Sequence, residues 1–152
     1  MLNIMKIELI APCGMNCGIC SSYLALTNDL KQKNIRIPYC SGCRIRNKQC
    51  SFIKKRCDKL LKNKIKYCFE CEDFPCKRLQ DLNKRYRTYF RMSMIENLEN
   101  IKKVGIEKFL RQQKKKWMCQ KCGKTICCHN GICFNCDYKA LQTKKKMYRW
   151  EK

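Results

Sequence analysis

Histidine occurs once, proline three times and glycine six times in 152 residues, and 12 acidic side chains face 35 lysines and arginines. Each scarcity excludes something. A hydrolytic zinc site draws on histidine or carboxylate ligands and keeps one position open, which a chain with His129 alone supports poorly. Glu70, Glu72 and Asp73 beside one cysteine turn are better explained as solubilising or capping groups than as a base. No catalytic residue is therefore assigned, and the balance is against an enzyme. The few prolines and glycines leave no low-complexity linker. No stretch approaches the ~20 apolar residues of a membrane span. In the opening MLNIMKIELIAPC, Lys6 and Glu8 interrupt the apolar residues. No apolar core of roughly 7–15 residues and no small-residue cleavage site follows, so the chain is expected to be cytoplasmic.

What the chain has in abundance is cysteine, 16 in all. Ten of them form five Cys-x-x-Cys pairs: Cys17/Cys20, Cys40/Cys43, Cys68/Cys71, Cys119/Cys122 and Cys133/Cys136. That spacing lets two thiolates from one tight turn reach the same ion. Disulfide scaffolds belong to oxidising compartments, so in a cytoplasmic chain the cysteines point to metal.

The formal charge is +23. A zinc ion held by four thiolates carries −2, as does a 4Fe-4S cluster with four thiolates, so even three such sites leave a strongly basic protein. Residues 31–92 carry 19 basic and 5 acidic side chains, whereas residues 1–30 are slightly acidic. A basic region of this size attracts polyanions, nucleic acid or an acidic protein. The competing explanation is a solvated, lysine-rich surface.

The apolar spacing predicts a mostly α-helical protein with short β-hairpins. A helix is expected over 18–33, with Ile19, Tyr23, Leu26 and Leu30 inward and Asn34 as its stop. A second is expected over 51–65, with Ile53, Cys57, Leu60 and Leu61 inward. A third over 74–90 starts with Asp73 as cap and Pro75 in its first turn. Ser93 and Glu96 form a capping-box pattern ahead of Ile95, Leu98 and Ile101, and Gly105 ends that helix. A short helix over 106–116 buries Phe109 and Leu110. Hairpins are expected at 7–11 and within 119–136. The division is a Cys-rich metal-binding domain (1–92), a helical connector (93–118) and a zinc-ribbon-like module with a basic tail (119–152).

Cys119, Cys122, Cys133 and Cys136 make the clearest metal pattern. Two Cys-x-x-Cys turns ten residues apart close a tetrahedral shell, for which zinc is favoured. Between them, Cys127, Cys128 and His129 are alternative ligands, a redox pair, or ordinary loop residues. At the N-terminus, Cys13-Gly-Met-Asn-Cys17-Gly-Ile-Cys20 has the spacing of the cluster motif in radical S-adenosylmethionine enzymes, but the chain is too short for their βα barrel. A simpler 4Fe-4S cluster near Cys13, Cys17 and Cys20 stays open. The remaining candidates are Cys40, Cys43, Cys50, Cys57, Cys68, Cys71 and Cys76. Ten N-terminal cysteines do not fill four-ligand sites evenly. Two closed sites with two spare cysteines are favoured over an open or bridged site.

The order Pro-Cys13-Gly-x-x-Cys17-x-x-Cys20 with Tyr23, then Cys40-x-Gly-Cys43, Cys50, Cys57 and Tyr67-Cys68-x-x-Cys71-Glu-Asp-Phe-Pro75-Cys76 resembles a Cys-rich bacterial and archaeal family. That family is catalogued as domain of unknown function 3795. The resemblance spans about residues 10–92, and the 119–136 module looks like the tail of its longer members. It implies a small prokaryotic metal-binding protein and brings no activity with it. The resulting expectation is a protein with mainly structural zinc that serves as a binding module for nucleic acid or an acidic protein. The alternative is an iron–sulfur or thiol-redox protein.

Overall fold

The computed structural model describes residues 5–46 and 56–143. Six α-helices appear in order: α1 (Ser21–Thr27), α2 (Cys43–Arg46), α3 (Asp58–Leu61), α4 (Lys77–Tyr89), α5 (Met94–Val104) and α6 (Ile106–Lys116). Short 3-10 turns precede and separate them, among them Cys17–Ile19 and Cys68–Glu70. Among these residues no helix is long and apolar enough to cross a membrane.

The three longer helices form where caps and apolar spacing agree. Ser93 caps α5, its Oγ accepting the Glu96 N–H at 3.1 Å. Gly105 ends α5 at φ +87° and starts α6, so the two helices turn on one residue. That conformation costs glycine nothing and a side-chain-bearing residue a good deal. Asn83 of α4 clamps the preceding corner, its Oδ1 accepting from Ser93 Oγ at 2.7 Å and from the Ile95 N–H at 3.1 Å. α4, α5 and α6 then pack in sequence against one another.

The earlier helices are shorter than the apolar spacing predicts. The expected 18–33 helix breaks after α1, because Asp29 adopts the left-handed region at φ 48° and a 3-10 turn follows over Leu30–Lys33. Asn34, also left-handed, is the stop, as expected. Leu26 faces solvent rather than the core. Of the expected 51–65 helix, only α3 lies within the described residues. There Leu60 is buried and Leu61 exposed, while Ile53 and Cys50 lie outside them. Cys76, not Asp73, is the N-cap of α4.

The expected hairpins are corrected too: the described residues contain no strand. Residues 7–9 form a 3-10 turn, and the C-terminal segment has only the isolated bridges Met118–Thr125 and Ile126–Cys133. The cause is local. Each cysteine turn spends its backbone donors on closing itself, as in Gly123 N–H to the Cys119 carbonyl at 2.8 Å, leaving too few paired residues for a ladder.

The main core joins the N-terminal motif to the last helices. Leu9, Ile10 and Ile19 pack with Leu79, Leu98 and Phe109, and Cys128 belongs to the same cluster. A second cluster sets Leu24, Leu30 and Ile35 against Cys127, Ile132 and Phe134. Arg44 of α2 ties the N-terminal loop to the following segment through its guanidinium, which donates to the carbonyls of Ile10 and Lys66, each at 2.6 Å.

Gly14 lies in close backbone contact with α5. Its φ is +91°, and a Cβ there would lie 2.6 Å from the Met94 carbonyl oxygen and 2.9 Å from Leu98 Cγ. Gly14→Ala is expected to cost about 2–3 kcal/mol through strain and forced displacement of α5. Denaturant unfolding of metal-loaded protein checks this, and an unchanged midpoint would contradict the packing described.

Candidate metal centre

Trp117 ends α6, and the chain turns at once into the first cysteine knuckle. Cys119 N–H donates to the Lys124 carbonyl, Ile126 N–H to the Trp117 carbonyl and Cys127 N–H to the Ile132 carbonyl. These bonds fold 117–133 back on itself twice and bring both Cys-x-x-Cys turns face to face. The sulfurs of Cys119, Cys122, Cys133 and Cys136 all lie within 4.8 Å of one another. Cys119–Cys136 is 3.6 Å and Cys122–Cys133 is 3.5 Å. A tetrahedral ion with bonds of about 2.3 Å to sulfur requires edges of about 3.8 Å, so this donor set fits one thiophilic ion.

The charges point the same way. At Cys122 burial raises the pKa, but hydrogen bonds from the Asn135 side chain, the Lys124 N–H and the neighbouring thiols outweigh it and hold the thiol down at about 6. Desolvation and then the thiols of Cys119, Cys133 and Cys122 push Cys136 up to about 12, and Cys133 is raised as well. One thiolate forms easily and the next are opposed by it. A cation between them removes that opposition.

Cys127, Cys128 and His129 are not part of this shell. Cys127 and Cys128 are fully buried, and burial pushes their thiols up, Cys127 to about 12. His129 Nδ1 accepts the Ser21 N–H at 3.2 Å, and its ring meets Phe90 edge-on at 4.7 Å. It is a packed residue joining the ribbon to the start of α1. Burial lowers its pKa to about 4.

The N-terminal cysteines fall into two neighbourhoods. In the first, the Cys43 N–H donates to Cys17 Sγ at 3.4 Å, and the Gly42 N–H to Cys40 Sγ at 3.4 Å. Contact with the Cys43 thiol and then burial drive the Cys17 pKa far up, and Cys20 lies close enough to feel Cys40 and Cys43. Cys17, Cys20, Cys40 and Cys43, from the Cys17–Ile19 turn and the start of α2, are thus neighbours, though not at single-ion spacing. In the second, Cys57, Cys68, Cys71 and Cys76 line one cavity of about 400 Å³. Burial and then the charges of Cys13, Cys57, Cys76 and Cys71 raise the pKa of Cys68. Cys13 therefore stands near this second group. Among the described residues, the ribbon is the one group of cysteines drawn to single-ion spacing.

Two contributors carry no signal in the spacing of the sequence. Lys59 Nζ donates to Cys71 Sγ at 3.3 Å across twelve residues. Asn16 is fully buried; its Oδ1 accepts the Gly18 N–H at 2.9 Å and its Nδ2 donates to Gln113 Oε1 at 3.1 Å. A polar residue inside a cysteine motif is the only hint of that second role.

Fold and site together define a small helical, cysteine-rich protein with a four-cysteine centre suited to a metal ion. Residues 9–81 match the family model described as "Protein of unknown function (DUF3795)". The match ends within α4, so α5, α6 and the ribbon lie outside it. No curated protein and no solved structure shows a significant match to the chain.

Two outcomes follow. Cys133→Ser replaces a buried ligand by a hydroxyl that does not ionise near neutral pH, so the protein should lose one metal ion per chain and unfold at markedly lower denaturant. Elemental analysis beside an unfolding curve reads both. His129 supplies the only imidazole signal of the chain, and its Cε1 proton shift should stay flat from pH 7.5 to 5 and titrate near pH 4. The folded pKa lies below the unfolded value of about 6.5, so protonation favours the unfolded chain. The contribution is complete above pH 6.5 and is lost as pH falls toward 4, with about 2 kcal/mol of it gone by pH 5. A midpoint near 6.5 would show an exposed ring.

Proposed function

We propose that this protein is a zinc-stabilised binding module whose cationic helical surface takes an acidic partner, with nucleic acid the best-matched class. Zinc is the reading for the ribbon, because two opposed cysteine turns closing on a tetrahedral shell are the usual structural zinc site. Zinc is also the reading for Cys17, Cys20, Cys40 and Cys43, two further turns of the same kind. All-thiolate shells leave no open position, which argues for structural rather than hydrolytic metal.

The observation that carries the partner is uncompensated charge on a folded surface. Lys84, Arg85 and Arg87 of α4, Lys102 and Lys103 of α5, and Lys108, Arg111 and Lys115 of α6 are exposed. Ion pairs such as Arg87–Glu96 at 2.6 Å engage few of these cations, since 12 carboxylates face 35 cations in the whole chain. Tyr89 stands exposed between Arg87 and Arg91 and is the aromatic placed to stack on a base. Tyr86 and Phe90 are less suited to that role, because both rings pack against His129. The alternative, an iron–sulfur or thiol-redox protein, gains support at one place, the cavity between α3 and α4.

The partner is tested by anisotropy titration of single-stranded and duplex oligonucleotides between 50 and 200 mM salt. Binding should weaken steeply with salt, and reversing Arg85 and Arg111 to glutamate should lower the slope of log K against log salt by about 1 per lost phosphate contact. Absence of salt-sensitive retention at low salt would remove nucleic acid as the partner.

A further inference from the structure

We propose that Cys57, Cys68, Cys71 and Cys76 form a metal centre of a different kind from the ribbon, and that it takes a 4Fe-4S cluster. The proposal is independent of the partner the basic surface binds. It starts from space. The four cysteines border one cavity of about 400 Å³, far more room than a single ion between touching thiolates leaves. The ribbon shows what single-ion geometry looks like in this chain, with sulfurs at 3.5 and 3.6 Å. Among the described residues only the ribbon reaches that spacing, and these four cysteines line a cavity instead. A four-iron cube sets its cysteine sulfurs well beyond the separation that one tetrahedral ion imposes.

The walls and rim suit the same occupant. Ile65, Phe74 and Leu79 supply apolar walls, as a cluster that must be shielded from water requires. Cys71 Sγ accepts from the Asp73 N–H at 3.4 Å and from Lys59 Nζ at 3.3 Å. Donors to ligand sulfurs of this kind tune iron–sulfur clusters. A cluster with four thiolates carries a net charge of −2 in its oxidised form. Arg56, Lys59, Lys77 and Arg78 border the cavity against Asp58 and Asp73, so the rim is net positive even with Lys77 paired to Asp81. Arg78 closes one side of the rim by donating to the Arg56 carbonyl. Cys76 precedes the thirteen-residue helix α4 as its N-cap, where the helix dipole favours a thiolate. Cys57, Cys71 and Cys76 are partly exposed, so iron and sulfide can reach the site from solvent. Cys13 is buried near Cys68 but does not line the cavity, so it is left out of the proposed ligand set.

Anaerobic purification of the full chain, with iron, zinc and acid-labile sulfide counted per chain, tests this directly. About four iron and four sulfide are expected beside the zinc, with a broad visible absorption that bleaches when dithionite supplies one electron and takes the core from 2+ to 1+. Cys71→Ser and Cys76→Ser should each lose the iron and keep the ribbon's zinc, while Cys133→Ser should lose that zinc and keep the iron. Lys59→Gln tests the site without removing a ligand. The loss of a cation bonded to a ligand sulfur should make the cluster harder to reduce, moving its potential to more negative values. A colourless anaerobic protein with zinc in the cavity overturns the proposal. So does iron that survives both cysteine substitutions or disappears with Cys13→Ser.

Discussion

Negative charge on crowded sulfur is the constraint on which this structure turns. Sixteen cysteines occupy a chain of 152 residues, and the folded backbone concentrates most of them in three places. Thiols brought within 4 Å resist joint ionisation, as the opposite shifts at Cys122 and Cys136 show. A bound cation turns this liability into the strongest cohesive term available to the protein. Structural zinc in small peptides contributes about 10–16 kcal/mol near neutral pH, as much as the whole stability of an ordinary domain. The short helices α1, α2 and α3 are intelligible in that light. They need not be stable alone, because their task is to present cysteine turns, and the apolar core behind them is correspondingly thin.

The two ends of the chain depend on one another. The Cys128 N–H donates to the Ile19 carbonyl at 2.9 Å, and the Ser21 N–H donates to His129, so the loop between the ribbon knuckles caps the start of α1. Asn16 reaches Gln113 of α6 from inside the first cysteine motif, and Asn97 of α5 donates to the Gly14 carbonyl at 2.9 Å. The N-terminal motif is thus held by two helices and a ribbon that lie outside the family match. Loss of metal from the ribbon should be felt at Cys17 and Cys20 through these bonds, because the segment between the knuckles is itself part of both apolar clusters.

The sequence made the later half of the chain legible and the earlier half much less so. Ser93, Glu96 and Gly105 marked α5 because capping is local chemistry, written within three or four residues. The ribbon was legible for the same reason: both knuckles and their separation lie within 119–136. The region 18–76 was harder, since its shape follows from where sulfurs must converge. Apolar spacing suggested a helix through 18–33, but the left-handed Asp29 breaks it so that Leu30 and Ile35 can meet Phe134. The grouping of Cys17 with Cys43, and of Cys13 with Cys68, joins residues 26 and 55 positions apart, and no local pattern encodes that. Lys59 is legible only once its partner Cys71 is placed.

The same grouping explains the odd count of N-terminal thiols. Ten cysteines resist division by four only if all ten are treated as ligands. Once Cys17, Cys20, Cys40 and Cys43 form one neighbourhood and Cys57, Cys68, Cys71 and Cys76 border a cavity, Cys13 is left as a buried neighbour, and Cys50 lies outside the described residues. The difference between the two groups is then geometric. In the first, the Cys43 N–H reaches Cys17 Sγ at 3.4 Å and the turns lie side by side. The other lines a cavity with a cationic rim. The proposed cluster places the chain's chemistry, as distinct from its cohesion, at that cavity.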